Sequence, residues 1–146
     1  MARLRLLGPL GLWHLAFAGM LASPLASATR PPGVAAQLAC RPEAAPGRVL
    51  CELKYRAAPG LRLVWADALV TKTPDFVRPL RSRVSPERFT GETPGERKLS
   101  LGFVASQAGV GQISVQARAV VCRGAGPAES CRSESQQVVA EVRVGS

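Results

Sequence analysis

Four side chains carry most of the chemistry this chain can offer: Cys40, Cys51, Cys122 and Cys131. Outside the cytosol a cysteine pair either staples the fold as a disulfide or exchanges electrons with another dithiol, so the compartment comes first. Residues 1–28 indicate it. Arg3 and Arg5 precede an apolar run over 6–21, broken only by small or polar residues, and Ala26, Ser27 and Ala28 close the segment with small side chains. This is the pattern of a cleavable secretory signal, and it predicts an exported chain, periplasmic or secreted, that begins near Thr29.

Removing that segment narrows the chemistry. His14 is the only histidine of the sequence and leaves with the signal, together with both methionines and one of the two tryptophans. The remaining 118 of 146 residues contain no histidine and no asparagine, and the loss of Arg3 and Arg5 takes the formal charge from +9 to +7. Without histidine there is no Ser-His-Asp or Cys-His machinery, no His-ligated zinc and no imidazole base. Without asparagine there is no N-glycosylation acceptor. No later apolar run approaches the ~20 residues of a membrane span, and no spacing marks a cofactor or metal site.

The four cysteines are expected to be paired, but four allow three connectivities and spacing alone selects none. Short apolar-polar runs with glycine and proline breaks predict an all-β, immunoglobulin-like antiparallel sandwich. It forms a single domain over 34–146, after a mobile leader at 29–33. Strands are expected over 34–41, 49–56, 61–69, 98–104, 112–121 and 136–144. The stretch 70–95 holds Pro74, Pro79, Pro86 and Pro94, which suits loops with one or two short edge strands. Gly109 to Gly111 reads as a turn into the next strand.

Period-two alternation then sets two hairpins. A four-residue turn over 44–47 places Cys40 opposite Cys51, on an apolar face with Val34, Ala36, Leu38, Val49, Leu53 and Tyr55. A turn centred on Gly126 and Pro127 places Cys122 opposite Cys131. There the apolar face is formed by Ile113, Val115, Ala117, Ala119 and Val121 against Val138, Ala140, Val142 and Val144, and the cysteines share the other face with Ser114, Gln116, Arg118, Gln137, Glu141 and Arg143. The inner pair thus reads as a structural staple and the outer pair as the one within a partner's reach. Arg123, Arg132 and Arg118 would lower a thiol pKa there, and Glu129 and Glu134 would raise it. A third pairing stays open, because Cys51, Trp65 and Cys122 approximate the Cys…Trp…Cys spacing of an immunoglobulin domain.

Several pieces in order resemble a known family: the segment at 58–65 ending in Trp65, then Ser85, Pro86, Glu87, Arg88 and Phe89, then the strand at 98–104, then Cys122 and Cys131 before a terminal strand. Over about 34–144 the chain resembles the N-terminal periplasmic domain of the DsbD thiol:disulfide interchange proteins. The resemblance implies an immunoglobulin-like sandwich whose redox pair, Cys122 and Cys131, passes electrons to periplasmic thioredoxin-like proteins through mixed disulfides. It also implies an aromatic cap loop over that pair, for which Phe76 is the nearest candidate along the chain. The chain departs from the family in a longer loop between those cysteines, in the missing proline after the second, and in the additional pair Cys40 and Cys51. The alternative is a non-catalytic binding or structural module in which both disulfides are staples.

The remaining signals are weaker. The arginines are dispersed and the aromatics few, which argues against nucleic acid as a partner. Arg78, Arg81, Arg83 and Arg88 read as a solvated loop. Trp65 shares its alternation with Leu61 and Leu63 and is expected in the core, as are Phe89 and Phe103.

Overall fold

Alternation of apolar and polar residues produces strands almost throughout the computed structural model, which describes residues 31–85 and 95–146. The signal segment, the first leader residues and the proline-bearing piece with Arg88 and Phe89 lie outside the described residues. The strands are β1 (Val34–Cys40), β2 (Gly47–Ala57), β3 (Arg62–Lys72), β4 (Val77–Pro79), β5 (Arg83–Val84), β6 (Glu96–Ala105), β7 (Gly109–Arg123) and β8 (Ser130–Val144). They form two antiparallel four-stranded sheets, ordered β1-β2-β6-β4 and β5-β3-β7-β8. This is an immunoglobulin-like sandwich in which the first, second, fifth and fourth strand positions face the third, sixth and seventh, with two-residue β5 added at one edge. Among the described residues no helix is long and apolar enough to cross a membrane.

Both hairpins have the register that alternation predicts: Cys40 lies opposite Cys51 and Cys122 opposite Cys131. β8 begins six residues before the expected start at 136 and pairs with β7 along its whole length. β7 likewise begins at Gly109 instead of after the supposed turn. Those glycines serve packing: a β-carbon on Gly109 would stand 3.0 Å from the Phe76 ring, and one on Gly111 would stand 2.8 Å from Pro74.

The main departure lies in β3. Leu63 pairs with Val121 but Trp65 pairs with Val120, so Val64 is an extra residue that shifts the register. Beyond this bulge the alternation is inverted. Leu61 and Leu63 face the core before it, and Ala66, Ala68 and Val70 face the core after it, whereas Trp65 turns to the outer surface and is only half-buried. The expectation that Trp65 lies in the core is therefore corrected. Phe103 is buried as expected.

Large side chains of one sheet share the core with small ones of the other. Tyr55, Phe103, Leu53, Leu99 and Leu101 are fully buried, together with Ala66, Ala68, Ala117 and Ala119 from the middle of β3 and β7. Methyl groups opposite rings and leucines let the two sheets approach closely. The Tyr55 hydroxyl crosses between the sheets and donates to the Asp67 carbonyl at 2.5 Å. Burial, followed by the Asp67 charge, pushes the Tyr55 pKa above its ordinary 10.0, which keeps this donor protonated.

A second tie joins the sheets at their open edges. The Glu134 carboxylate of β8 accepts hydrogen bonds from Gly33 N at 2.8 and 2.9 Å and from Val34 N at 3.0 Å, while Arg132 Nε donates to it at 2.7 Å. The leader therefore ends in a fixed residue, because Gly33 is buried and bonded while Pro31 and Pro32 are exposed. Partial burial works against the carboxylate, but Arg132 and the two backbone donors together hold the Glu134 pKa below the ordinary 4.5. A depressed folded-state pKa stabilises the fold above the unfolded value, and that contribution is lost as the pH falls through the folded one. Glu134→Gln should lower stability by about 1.5–3 kcal/mol at neutral pH. In denaturant titrations the gap between wild type and variant should close as the pH falls below 4.5. A pH-independent gap would show that the charge plays no part.

Candidate functional site

The outer cysteines owe their position to a hairpin tip that glycine makes possible. Gly124 and Gly126 adopt φ of 78° and 60°, in the left-handed region where a β-carbon is unfavourable. A short 3-10 turn, Gly126–Ala128, follows, and Glu129 N donates back to Gly126 O at 3.0 Å. Directly below this tip Cys122 and Cys131 are bonded across the hairpin, their Cα atoms 4.0 Å apart. Cys40 and Cys51 are joined in the same way at the other hairpin, with Cα atoms 3.9 Å apart. The pairing across the sandwich between Cys51 and Cys122 does not occur, because Cys51 points into the core and Cys122 away from it.

Each bond takes one cysteine from a central strand and one from an edge strand, and the central one is buried in both: Cys51 and Cys122 are each 2% exposed. The edge cysteines differ. Cys40 is half-buried and packs on the hydrophobic core, whereas Cys131 is exposed. The outer bond thus joins an exposed cysteine to a buried one.

The charges around it are only partly those that sequence neighbourhood suggested. Arg132 points to the opposite side of β8, where it binds Glu134, so neither belongs to the sulfur environment. Arg118 lies two rows down the same face and binds Asp67. The cation beside the bond is Arg62 of β3, which pairs in register with Cys122 and makes an ion pair with Glu129 of the hairpin tip. A Glu129 carboxylate oxygen and the two cysteine sulfurs all lie within 4.8 Å of one another. Nothing in the sequence marks Arg62, because its proximity depends on β3 pairing with β7, which brings together residues 60 positions apart.

The next rows of this outer face are Trp65, Val120 and Ser133, then Asp67, Arg118 and Ser135. Between them lies a shallow depression of about 280 Å³ lined by Trp65, Arg118, Val120, Ser133 and Ser135. The Arg118 guanidinium stands 5.9 Å from the Trp65 ring centroid. Arg118 Nε donates to Asp67 at 2.7 Å and Arg83 Nε at 2.8 Å, and the Asp67 side chain is wholly buried between them. The bond to Asp67 raises the Arg118 pKa further above its ordinary value. Arg83, expected in a solvated loop, is thus a structural partner of a buried acid. Phe76 packs on Gly109, at the opposite end of β7 from Cys122. It therefore does not shield the Cys122–Cys131 bond, which corrects the assignment by chain position.

No protein-family model matches the chain, and no curated protein matches it. Among solved structures it is similar to the ASH/PapD-like domain 7 of human CEP192, with a TM-score of 0.36 and 10% identity over 86% of this chain and 96% of that one. It is similar to BslA, a bacterial hydrophobin, with a TM-score of 0.33 and 11% identity over 79% of this chain and 98% of that one. A third is AggA, the major subunit of aggregative adherence fimbriae type I from Escherichia coli, with a TM-score of 0.32 and 9% identity over 77% and 96%. Likeness at this level says nothing of function.

The exposure difference has a direct chemical readout. After reduction of the outer bond, an alkylating reagent should modify Cys131 first and Cys122 only through local opening. Equal rates in peptide mass spectrometry would contradict the burial asymmetry.

Proposed function

We propose that the chain is an exported thiol-disulfide exchange module, comparable in role to the N-terminal domain of DsbD, and that Cys122 and Cys131 form its redox pair. One observation carries this reading: the outer bond joins an exposed cysteine on an edge strand to a buried one on the central strand beside it. Two disulfides suit an oxidising compartment, periplasmic or extracellular.

The asymmetry gives the exchange a direction. A thiolate of a partner dithiol, such as a thioredoxin-like protein, attacks the exposed Cys131 Sγ. The intramolecular S–S bond breaks, its electron pair passes to Cys122 Sγ, and a mixed disulfide joins the partner to Cys131. The partner's second thiolate then attacks its own sulfur in that bond and releases Cys131, so the partner is oxidised and the pair reduced. In reverse, the Cys131 thiolate attacks a partner disulfide and Cys122 resolves the product. The Arg62 guanidinium favours the Cys122 thiolate as leaving group, and Glu129 opposes it.

A staple role is the second reading, favoured by the matching cross-strand geometry of the two bonds, whose Cα separations are 3.9 and 4.0 Å. The molecule provides its own control. In a glutathione or dithiothreitol series, Cys122–Cys131 should be reduced at potentials above roughly −300 mV while Cys40–Cys51 resists. Equal resistance of the two bonds would establish the staple reading. Cys122→Ser should accumulate mixed disulfides through Cys131, and Cys131→Ser should accumulate far fewer.

A further inference from the structure

In the reduced state, we propose, Cys122, Cys131 and Glu129 bind a thiophilic divalent cation such as Zn2+. The sequence contains no metal-binding spacing, because the three ligands gather only when the hairpin tip folds back. Glu129 lies at the end of the glycine-bearing turn, and its carboxylate oxygen and both sulfurs fall within 4.8 Å of one another. Two sulfurs and one carboxylate oxygen on tetrahedral zinc lie about 3.5–3.8 Å apart, given metal-ligand bonds of roughly 2.0–2.3 Å. Opening the S–S bond spreads the sulfurs toward that spacing, and the oxygen has little distance to cover. Cys131 and Glu129 are exposed. The cation therefore has an entry path, and water can occupy the fourth position.

A dithiol partner or two molecules of a small thiol reduce the disulfide and are themselves oxidised to a disulfide, leaving Cys122 and Cys131 as thiols. The cation then displaces one proton from each thiol, and two protons pass to solvent. Glu129 exchanges its ion pair with Arg62 for the metal. Arg62 is more than half exposed and rehydrates. The inner pair lacks this arrangement, since the described residues contain no comparable cluster around Cys40 and Cys51. The cation binds the dithiol and not the disulfide, so it shifts the redox equilibrium toward the reduced form. Zinc at 100 times its Kd should raise the dithiol-to-disulfide ratio about 100-fold in a fixed thiol buffer.

The proposal rests on the exchange reading only for how the dithiol arises, and the test separates the two. The full chain is reduced chemically, freed of reductant under nitrogen and titrated with Co2+, then with Zn2+ in competition. One equivalent of Co2+ should produce thiolate-to-cobalt charge transfer and the visible bands of a tetrahedral site, which Zn2+ then bleaches. Glu129→Gln should weaken binding by at least the roughly tenfold that loss of an outer-shell partner costs, even though removing its charge favours the two thiolates. The double variant Cys122→Ser, Cys131→Ser should bind nothing. Absence of these bands, an unchanged affinity in Glu129→Gln, or binding that survives in the double variant overturns the proposal. Binding in a protein whose outer bond resists dithiols would leave the metal site standing and remove the exchange role.

Discussion

One extra residue in β3 governs how this sandwich uses its surfaces. With Val64 bulged out, the strand contributes Leu63 and then Ala66 and Ala68 to one core, and it turns Trp65 and Asp67 outward beside β7. Uninterrupted alternation would place Trp65 and Asp67 inside, with an unpaired acid among the leucines, at a cost of several kcal/mol. The bulge instead gives the acid two arginines on the outer face and lets its backbone carbonyl receive the Tyr55 hydroxyl from the opposite sheet. Core packing, the inter-sheet hydrogen bond and the outer electrostatics thus share one local irregularity.

Strand position also explains why two disulfides with matching cross-strand placement differ in exposure. Cys51 and Cys122, each on a strand with a neighbour on both sides, are buried alike although they take opposite faces. A cysteine on an edge strand has one neighbour, and its exposure depends on its face: Cys40 turns toward the core and Cys131 toward solvent. Strand position and face together give the outer bond one exposed and one buried cysteine.

Strand pairing also separates charges that are adjacent in sequence. Arg132 follows Cys131 directly yet belongs to the inter-sheet tie with Glu134, because consecutive residues of a strand face opposite ways. Arg62 lies far away in sequence yet stands in the row of Cys122. Of the arginines that sequence proximity suggests, Arg132 and Arg118 are engaged with Glu134 and Asp67.

Much of the fold is written in local patterns. Alternation, turn residues and the placement of Gly47, Gly124 and Gly126 determine the two hairpins and hence which cysteines oppose each other, since a hairpin register depends on a few consecutive residues. The removal of histidine with residues 1–28 is likewise a matter of sequence expectation alone. Tertiary structure decided what non-local pairing controls: the bulge at Val64, the outward turn of Trp65, the burial of Asp67 between Arg83 and Arg118, and the meeting of Arg62 and Glu129 beside Cys122. It also moved Phe76 to the far end of β7. These features depend on which strand lies beside which, and a strand's own alternation carries no record of its neighbour.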